Sequence, residues 1–90
     1  MSNQVRWQAF GNRVMIRMDN QTKEVRQKVN IDEEDFKATG VIVSLGAGFG
    51  DQLSIGQRVI IDKYAGVFIY EDNIIYKVVE KRDIIAFEVL

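Results

Sequence analysis

The segment NRVMIRMD, residues 12–19, alternates apolar and polar side chains with a period of two. Successive side chains of a strand point to opposite faces, so this alternation predicts a strand with one buried face. One face of this strand, expected to face the core, carries Val14, Ile16 and Met18. The other face carries Arg13, Met15 and Arg17.

Other short segments with the same character follow along the chain. Each is rich in β-branched or aromatic residues and is bounded by glycine or by acidic turn residues. The predicted strands are residues 40–46, residues 55–62, a hairpin over residues 66–80 that turns at Glu71, Asp72 and Asn73, and residues 84–90. Short strands at close spacing predict an all-β fold, either a small barrel or a sandwich.

Composition limits the classes of function. The chain has 90 residues, 47% hydrophobic and 28% charged, which is typical of one globular domain over residues 1–90. Its net charge of -1 argues against a nucleic-acid partner, and no apolar run is long enough for a membrane span. It contains neither His nor Cys, so we expect no enzyme, no metal site and no cofactor. The lack of cysteine also fits a reducing cytoplasm.

Residues 19–39 interrupt this series of strands for about twenty positions. Loops that long inside compact domains are usually functional or disordered. The segment is polar and holds an acidic block at residues 32–35, but Val29 and Ile31 form a small apolar island around Asn30. One interpretation is a flexible arm that offers this island to a partner. The other is an amphipathic helix capped by Asn30, with Ile31 and Phe36 on adjacent turns.

Two further patterns resemble ligand sites only loosely. A dinucleotide-binding loop requires a helix directly after its glycines. The segment after Gly46, Gly48 and Gly50 predicts a strand instead. The acidic block lacks the alternating ligand spacing of a calcium loop. We therefore interpret the glycines as a plain loop and the acidic block as a solvated surface.

Four segments in order resemble the GroES-type co-chaperonin family, also called chaperonin-10. FGNRVMIR (residues 10–17) resembles the family's opening strand PLGDRVLV, and TGVIVSLGAG (39–48) resembles its G-x-V-x-x-V-G-x-G strand and turn. LSIGQRVIIDKYAG (53–66) resembles VKVGDRVLFxKYAG, and residues 72–90 resemble DGEEYLILRESDILAVIE. Each match is weak alone, but together they cover nearly the whole chain.

This resemblance implies a small GroES-like β-barrel with a long flexible loop after the first core strand, at about residues 19–39. In the family this mobile loop binds a GroEL-type large chaperonin through an apolar tripeptide, which corresponds here to Val29, Asn30 and Ile31. The implied function is to cap the large ring in a nucleotide-dependent manner, so that client proteins fold in the enclosed cavity. ATP belongs to the large ring, and unfolded clients are indirect partners.

The resemblance also implies a homo-oligomer, a ring of seven. The first strand of one subunit, residues 5–10, would pair with the last strand of its neighbour, residues 84–90. The predicted subunit interface consists of Trp7, Phe10, Ile85, Phe87 and Val89. The alternative is that these side chains fill the core of their own subunit.

Three departures from the family pattern stand out. Asn30 places a polar residue in the middle of the tripeptide, which leaves Ile31 with Phe36 as a second possible contact. Ala9 and Phe10 stand where the family usually has a proline. Only residues 49–52 separate the glycine turn from Leu53. The hairpin that roofs the dome in many members is therefore missing or reduced to a turn, and we expect a wider opening at the top.

Two other functions stay open from the sequence. One is a small β-barrel that binds a peptide or nucleic acid without forming a ring. The other is an enzyme domain, because GroES-like barrels occur in alcohol dehydrogenases, although those carry Cys and His zinc ligands that this chain lacks. The divergence from the family pattern fits either a bacterial cytoplasm or that of a phage-infected cell.

Overall fold

The structure, a computed structural model, describes residues 6–19, 21, 37–49 and 52–89. The strands are β1 (Arg13–Met18), β2 (Lys37–Leu45), β3 (Arg58–Asp62), β4 (Val67–Glu71), β5 (Ile74–Glu80) and β6 (Ile84–Phe87). They form one antiparallel sheet in the order β4-β5-β1-β2-β3-β6. The described ranges hold two single-turn 3-10 helices, Ala47–Phe49 and Lys81–Asp83, and no helix in them could span a membrane. The predicted all-β, GroES-like barrel fold is confirmed.

One hydrophobic core lies inside the curled sheet. As the alternation in β1 predicts, Val14, Ile16 and Met18 are buried in it. The other strands contribute side chains from the same face, and two come from the loop between β2 and β3: Ile42, Val59, Ile61, Ile75 and Val79, with Phe49 and Leu53. Because Phe68 of β4 and Ile84 of β6 also pack against this cluster, the two outer strands of the sheet share the same core.

Three predicted strand boundaries are corrected. β2 begins at Lys37, not at residue 40, because residues 37–39 pair with β3. β3 begins at Arg58, not at residue 55, because the chain turns at Gly56 with φ of 94°. β6 ends at Phe87, although the Glu88 amide still donates to the Arg58 carbonyl at 2.9 Å. The interruption after β1 is therefore shorter than residues 19–39.

The predicted hairpin at Glu71–Asn73 is confirmed. Glu71 pairs with Ile74, which leaves Asp72 and Asn73 as a two-residue turn. Their φ angles are 54° and 65°, the left-handed pair that such turns require and that Asp and Asn tolerate well. The hairpin therefore follows directly from local sequence.

A bulge in β2 reverses the face on which its last residues lie. Met15 pairs with Ser44, but Ile16 pairs with Ile42, so Val43 is the extra residue. As a result, Ile42 lies on the core face and Ser44 lies on the opposite face, although they are two residues apart. We call this second side the outer face of the sheet.

The predicted strand over residues 5–10 pairs with a neighbouring subunit, and that pairing stays a prediction. Within the subunit residues 6–10 form no strand, and the four inner strands of the sheet are already paired on both sides. A strand at these positions would need another chain beside it.

Candidate functional site

The five residues of the predicted interface all lie outside the hydrophobic core. Their exposed fractions run from 49% for Trp7 and Phe87 to 84% for Val89. Large apolar side chains cost free energy when they face water, roughly 25 cal/mol per Å² of apolar surface. The alternative, that these side chains fill the core of their own subunit, therefore does not hold in the described structure.

Two of these side chains, Ile85 and Phe87, lie on β6, which forms one edge of the sheet, and Val89 follows that strand. They border an apolar groove of about 710 Å³, whose lining includes Phe49, Leu53, Ile84, Ile85, Phe87 and Val89. The amide of Glu88 faces β3, and backbone groups alternate sides along a strand. The N–H and C=O of Phe87 therefore point away from the sheet, toward a position that no other described strand occupies.

The segment before β1 is fixed across the outer face by side-chain hydrogen bonds. At one end, the Ala9 amide donates to Ser44 Oγ at 2.9 Å and Gln8 Nε2 donates to the Leu45 carbonyl at 2.7 Å. At the other end, Trp7 Nε1 donates to Glu71 Oε1 at 3.1 Å. Arg6 pairs with the same carboxylate at 2.9 Å, and its guanidinium lies 5.5 Å from the Trp7 ring centroid. We call residues 6–9 the N-terminal strap.

The sequence did not single out Ser44 or Glu71. Ser44 lies in an apolar segment, and only the β2 bulge turns it outward. Glu71 was interpreted as part of a hairpin turn, although its side chain is only 19% exposed and accepts two hydrogen bonds. A hydrogen-bond partner more than 60 residues away from an acidic turn residue leaves no signal in the sequence.

Asp19, the first residue after β1, is joined to Thr39 near the start of β2. The Asp19 amide donates to the Thr39 carbonyl at 3.1 Å, and Thr39 Oγ1 donates to Asp19 Oδ2 at 2.6 Å. Arg58 forms a salt bridge with the same carboxylate. Both residues therefore lie beside β3, which sequence reasoning had not anticipated for Asp19 or Thr39.

Gln21 extends this attachment to the other side of β1. Its Oε1 accepts from the Ile75 amide at 2.7 Å, and its Nε2 donates to the Ile75 carbonyl at 3.1 Å and to the Met18 carbonyl. This side chain thus takes the place of the next strand residue beside β5. Asp19 is therefore held by Arg58 of β3, and Gln21 is held by Ile75 of β5.

The predicted partner-binding residues Val29, Asn30 and Ile31 lie outside the described residues. The same holds for the alternative helix that would end near Phe36, for the acidic block at residues 32–35 and for Gly50. Those assignments stay predictions.

The shortened loop between β2 and β3 inserts a side chain into the core. Phe49, at the end of the 3-10 turn Ala47–Phe49, is 2% exposed and packs with the core beside Leu53. The turn is tight: a Cβ at Gly46 would lie 2.2 Å from the Gly11 carbonyl oxygen. The sequence predicted a plain loop, but Phe49 closes this end of the core.

Lys77 is a buried cation on the core face of β5, with 2% of its surface exposed. Its Nζ donates to the Lys63 carbonyl and lies 4.9 Å from the Phe68 ring centroid. Burial lowers the pKa of Lys77 below its usual value, and the nearby carboxylates of Asp62 and Asp83 oppose that shift. The amine therefore tethers the turn after β3 to β5.

The geometry thus comprises an apolar sheet edge, an N-terminal strap with one exposed aromatic ring, that of Trp7, and a connection between β1 and β2 that Asp19 and Gln21 attach to the sheet. None of these features is a catalytic arrangement. A search of curated proteins found no significant match. A family model, the chaperonin 10 kDa subunit, matches residues 6–88, nearly the whole chain. Members of that family are co-chaperonins and in general are not enzymes. The chain belongs to the chaperonin 10 kDa subunit family.

Proposed function

We propose that this protein is a co-chaperonin that caps a GroEL-type ring in response to the nucleotide state of that ring, as a ring of seven. The family match over residues 6–88 is the observation that carries the proposal. The capped cavity would hold an unfolded client, and the small protein would hydrolyse nothing itself. Its place of action would be the cytoplasm that contains the large ring.

The exposed apolar edge of β6 supports self-assembly. Phe87 offers unpaired backbone groups, and the neighbouring groove offers apolar side chains on the same edge. An exposed sheet edge of this kind pairs readily with another strand. A contact between two different edges, repeated around an axis, closes into a ring. The segment that would occupy this edge is residues 6–10 of the neighbour, where Trp7 and Phe10 are exposed.

Contact with the large ring is assigned to Val29, Asn30 and Ile31. Two aliphatic side chains provide only about 1.5–3 kcal/mol each when they are fully buried. One copy of such a contact is too weak to hold a complex, but seven copies on one ring raise the effective concentration of each remaining contact. The attachment of Asp19 to Thr39 and Arg58 supports this arrangement, because it fixes where each connection leaves the barrel.

The test is native mass spectrometry of the protein alone, followed by gel filtration with a GroEL-type ring with and without ATP or ADP. We expect a mass of seven subunits and co-elution that depends on nucleotide. A monomer at micromolar concentration that does not co-elute would refute the proposal and favour a small barrel that binds peptide or nucleic acid.

A further inference from the structure

We propose that Ser44 and Glu71 are positioning residues for ring assembly, because they hold the N-terminal strap in the conformation that a neighbouring subunit would bind. The proposal rests on the ring proposed above. It goes further by assigning assembly roles to two residues that are not among the five of the predicted interface.

The anchors lie on strands that are not adjacent. Ser44 is on β2 and Glu71 is at the end of β4, and the sheet order places β1 and β5 between them. At a strand spacing of about 4.8 Å, the anchors are separated by roughly 14 Å across the sheet. Two residues of chain cover only about 7 Å. The strap between Ala9 and Trp7 must therefore be extended, with the indole covering the remaining distance.

Burial on the outer face indicates that the strap covers it. Met15 is 1% exposed and Tyr76 is 8% exposed, although neither is part of the cluster of core side chains on the opposite face of the sheet. Met15 lies on β1 and Tyr76 lies on β5, the two strands between the anchors, and Met15 is directly opposite Ser44. If the strap covers Met15 and Tyr76, as their burial indicates, this apolar contact would stabilise the strap in addition to its hydrogen bonds.

The anchors also determine which backbone groups remain available. The Ala9 amide is bonded to Ser44, and the Ala9 carbonyl accepts from Gln8 Nε2 at 3.0 Å. In an extended chain, neighbouring residues direct their backbone groups to opposite sides. The N–H and C=O groups of Gln8 and Phe10 therefore face away from those of Ala9, toward the side from which a neighbour's β6 can approach.

A segment that is ordered before assembly loses less conformational entropy when it pairs. Without its anchors, residues 6–9 would have to be ordered at each of the subunit joints as the ring closes. Loss of one hydrogen bond to a charged group changes an equilibrium by about tenfold or more. We therefore expect release of the strap to raise the protomer concentration for half-assembly by about tenfold.

The experiment uses Trp7, which is the only tryptophan of the chain, as a probe. Glu71→Ala and Ser44→Ala are compared with the wild-type protein by acrylamide quenching of Trp7 in dilute protomer and by native mass spectrometry over a range of concentrations. Circular dichroism reports strand content. The matched control is Asp72→Asn, which removes a neighbouring negative charge at a position that Asn tolerates, with φ of 54°.

In Glu71→Ala we expect stronger quenching of Trp7 and weaker assembly, with strand content unchanged. Ser44→Ala should weaken assembly in the same way without touching the β4–β5 hairpin, and Asp72→Asn should behave as wild type. Normal assembly of both alanine variants, with or without release of Trp7, would overturn the positioning role and leave the ring intact. A wild-type protein that never assembles would refute the proposed ring and the positioning role together.

Discussion

Replacing Phe49 by alanine should destabilise each subunit by about 3–5 kcal/mol, the usual cost of removing a fully buried phenylalanine. Phe49 is 2% exposed and lies in the core beside Leu53. Transfer of the side chain to water accounts for about 1.5–3 kcal/mol of this cost, and the cavity left behind accounts for the rest. The total is a large fraction of the 5–15 kcal/mol that stabilises a typical domain.

Phe10→Ala is the matched control, because it removes the same side chain from an exposed position. Phe10 is 80% exposed, so about one fifth of its surface leaves water on folding. On the same scale the loss is about 0.3–0.6 kcal/mol. The two substitutions should therefore differ by several kcal/mol in the free energy of unfolding.

The assay is urea unfolding followed by circular dichroism, performed at two protomer concentrations. Assembly makes apparent stability depend on concentration, so the comparison separates the stability of the subunit from that of the ring. Phe49→Ala should lower stability at both concentrations, and Phe10→Ala should act mainly at the higher one. Equal losses for the two variants in dilute protomer would refute the assignment of Phe49 to the core.

Three further predictions concern the partner, the ring and the buried amine. Ile31→Asp should abolish nucleotide-dependent co-elution with a GroEL-type ring, because an unpaired charge in an apolar contact is costly, while native mass spectrometry still shows the small ring. Phe36→Ala should weaken co-elution less. If Phe36→Ala weakens it more than Ile31→Asp does, the contact is at Phe36 instead. Phe87→Asp should leave strand content unchanged but yield a monomer in native mass spectrometry, and a ring that survives this change would exclude the β6 edge as the joint. Burial lowers the pKa of Lys77 in the folded protein below 10.5. Between that lowered pKa and pH 10.5, the unfolded chain therefore binds more protons at Lys77 than the folded chain does. The contribution of Lys77 to the free energy of unfolding accordingly rises with pH in this range. In urea unfolding, the advantage of wild type over Lys77→Met should therefore be greater at about pH 10.5 than at about pH 7, and an unchanged difference would contradict the assigned cause.

The local parts of the fold could be predicted from the sequence, because each rests on contacts between residues that are close along the chain. The alternation in β1 identified Val14 and Ile16 as core residues, and the turn at Asp72 and Asn73 identified the hairpin. The order of the four motifs identified the family that the family model then confirmed. Of the interface residues, the sequence could name apolar side chains near both ends but could not decide whether they face the core or the outside.

Only the tertiary structure decided the features that depend on pairing between distant segments. Strand pairing to β3 moved the start of β2 to Lys37, and the β2 bulge turned Ser44 to the outer face against the simple period of two. The folded barrel brought Glu71 to Trp7 and Arg58 to Asp19, pairs separated by 64 and 39 residues. A side chain's hydrogen-bond partner across such distances is set by register and sheet order. Those properties arise from the packing of the whole sheet and leave no local pattern in the amino-acid sequence.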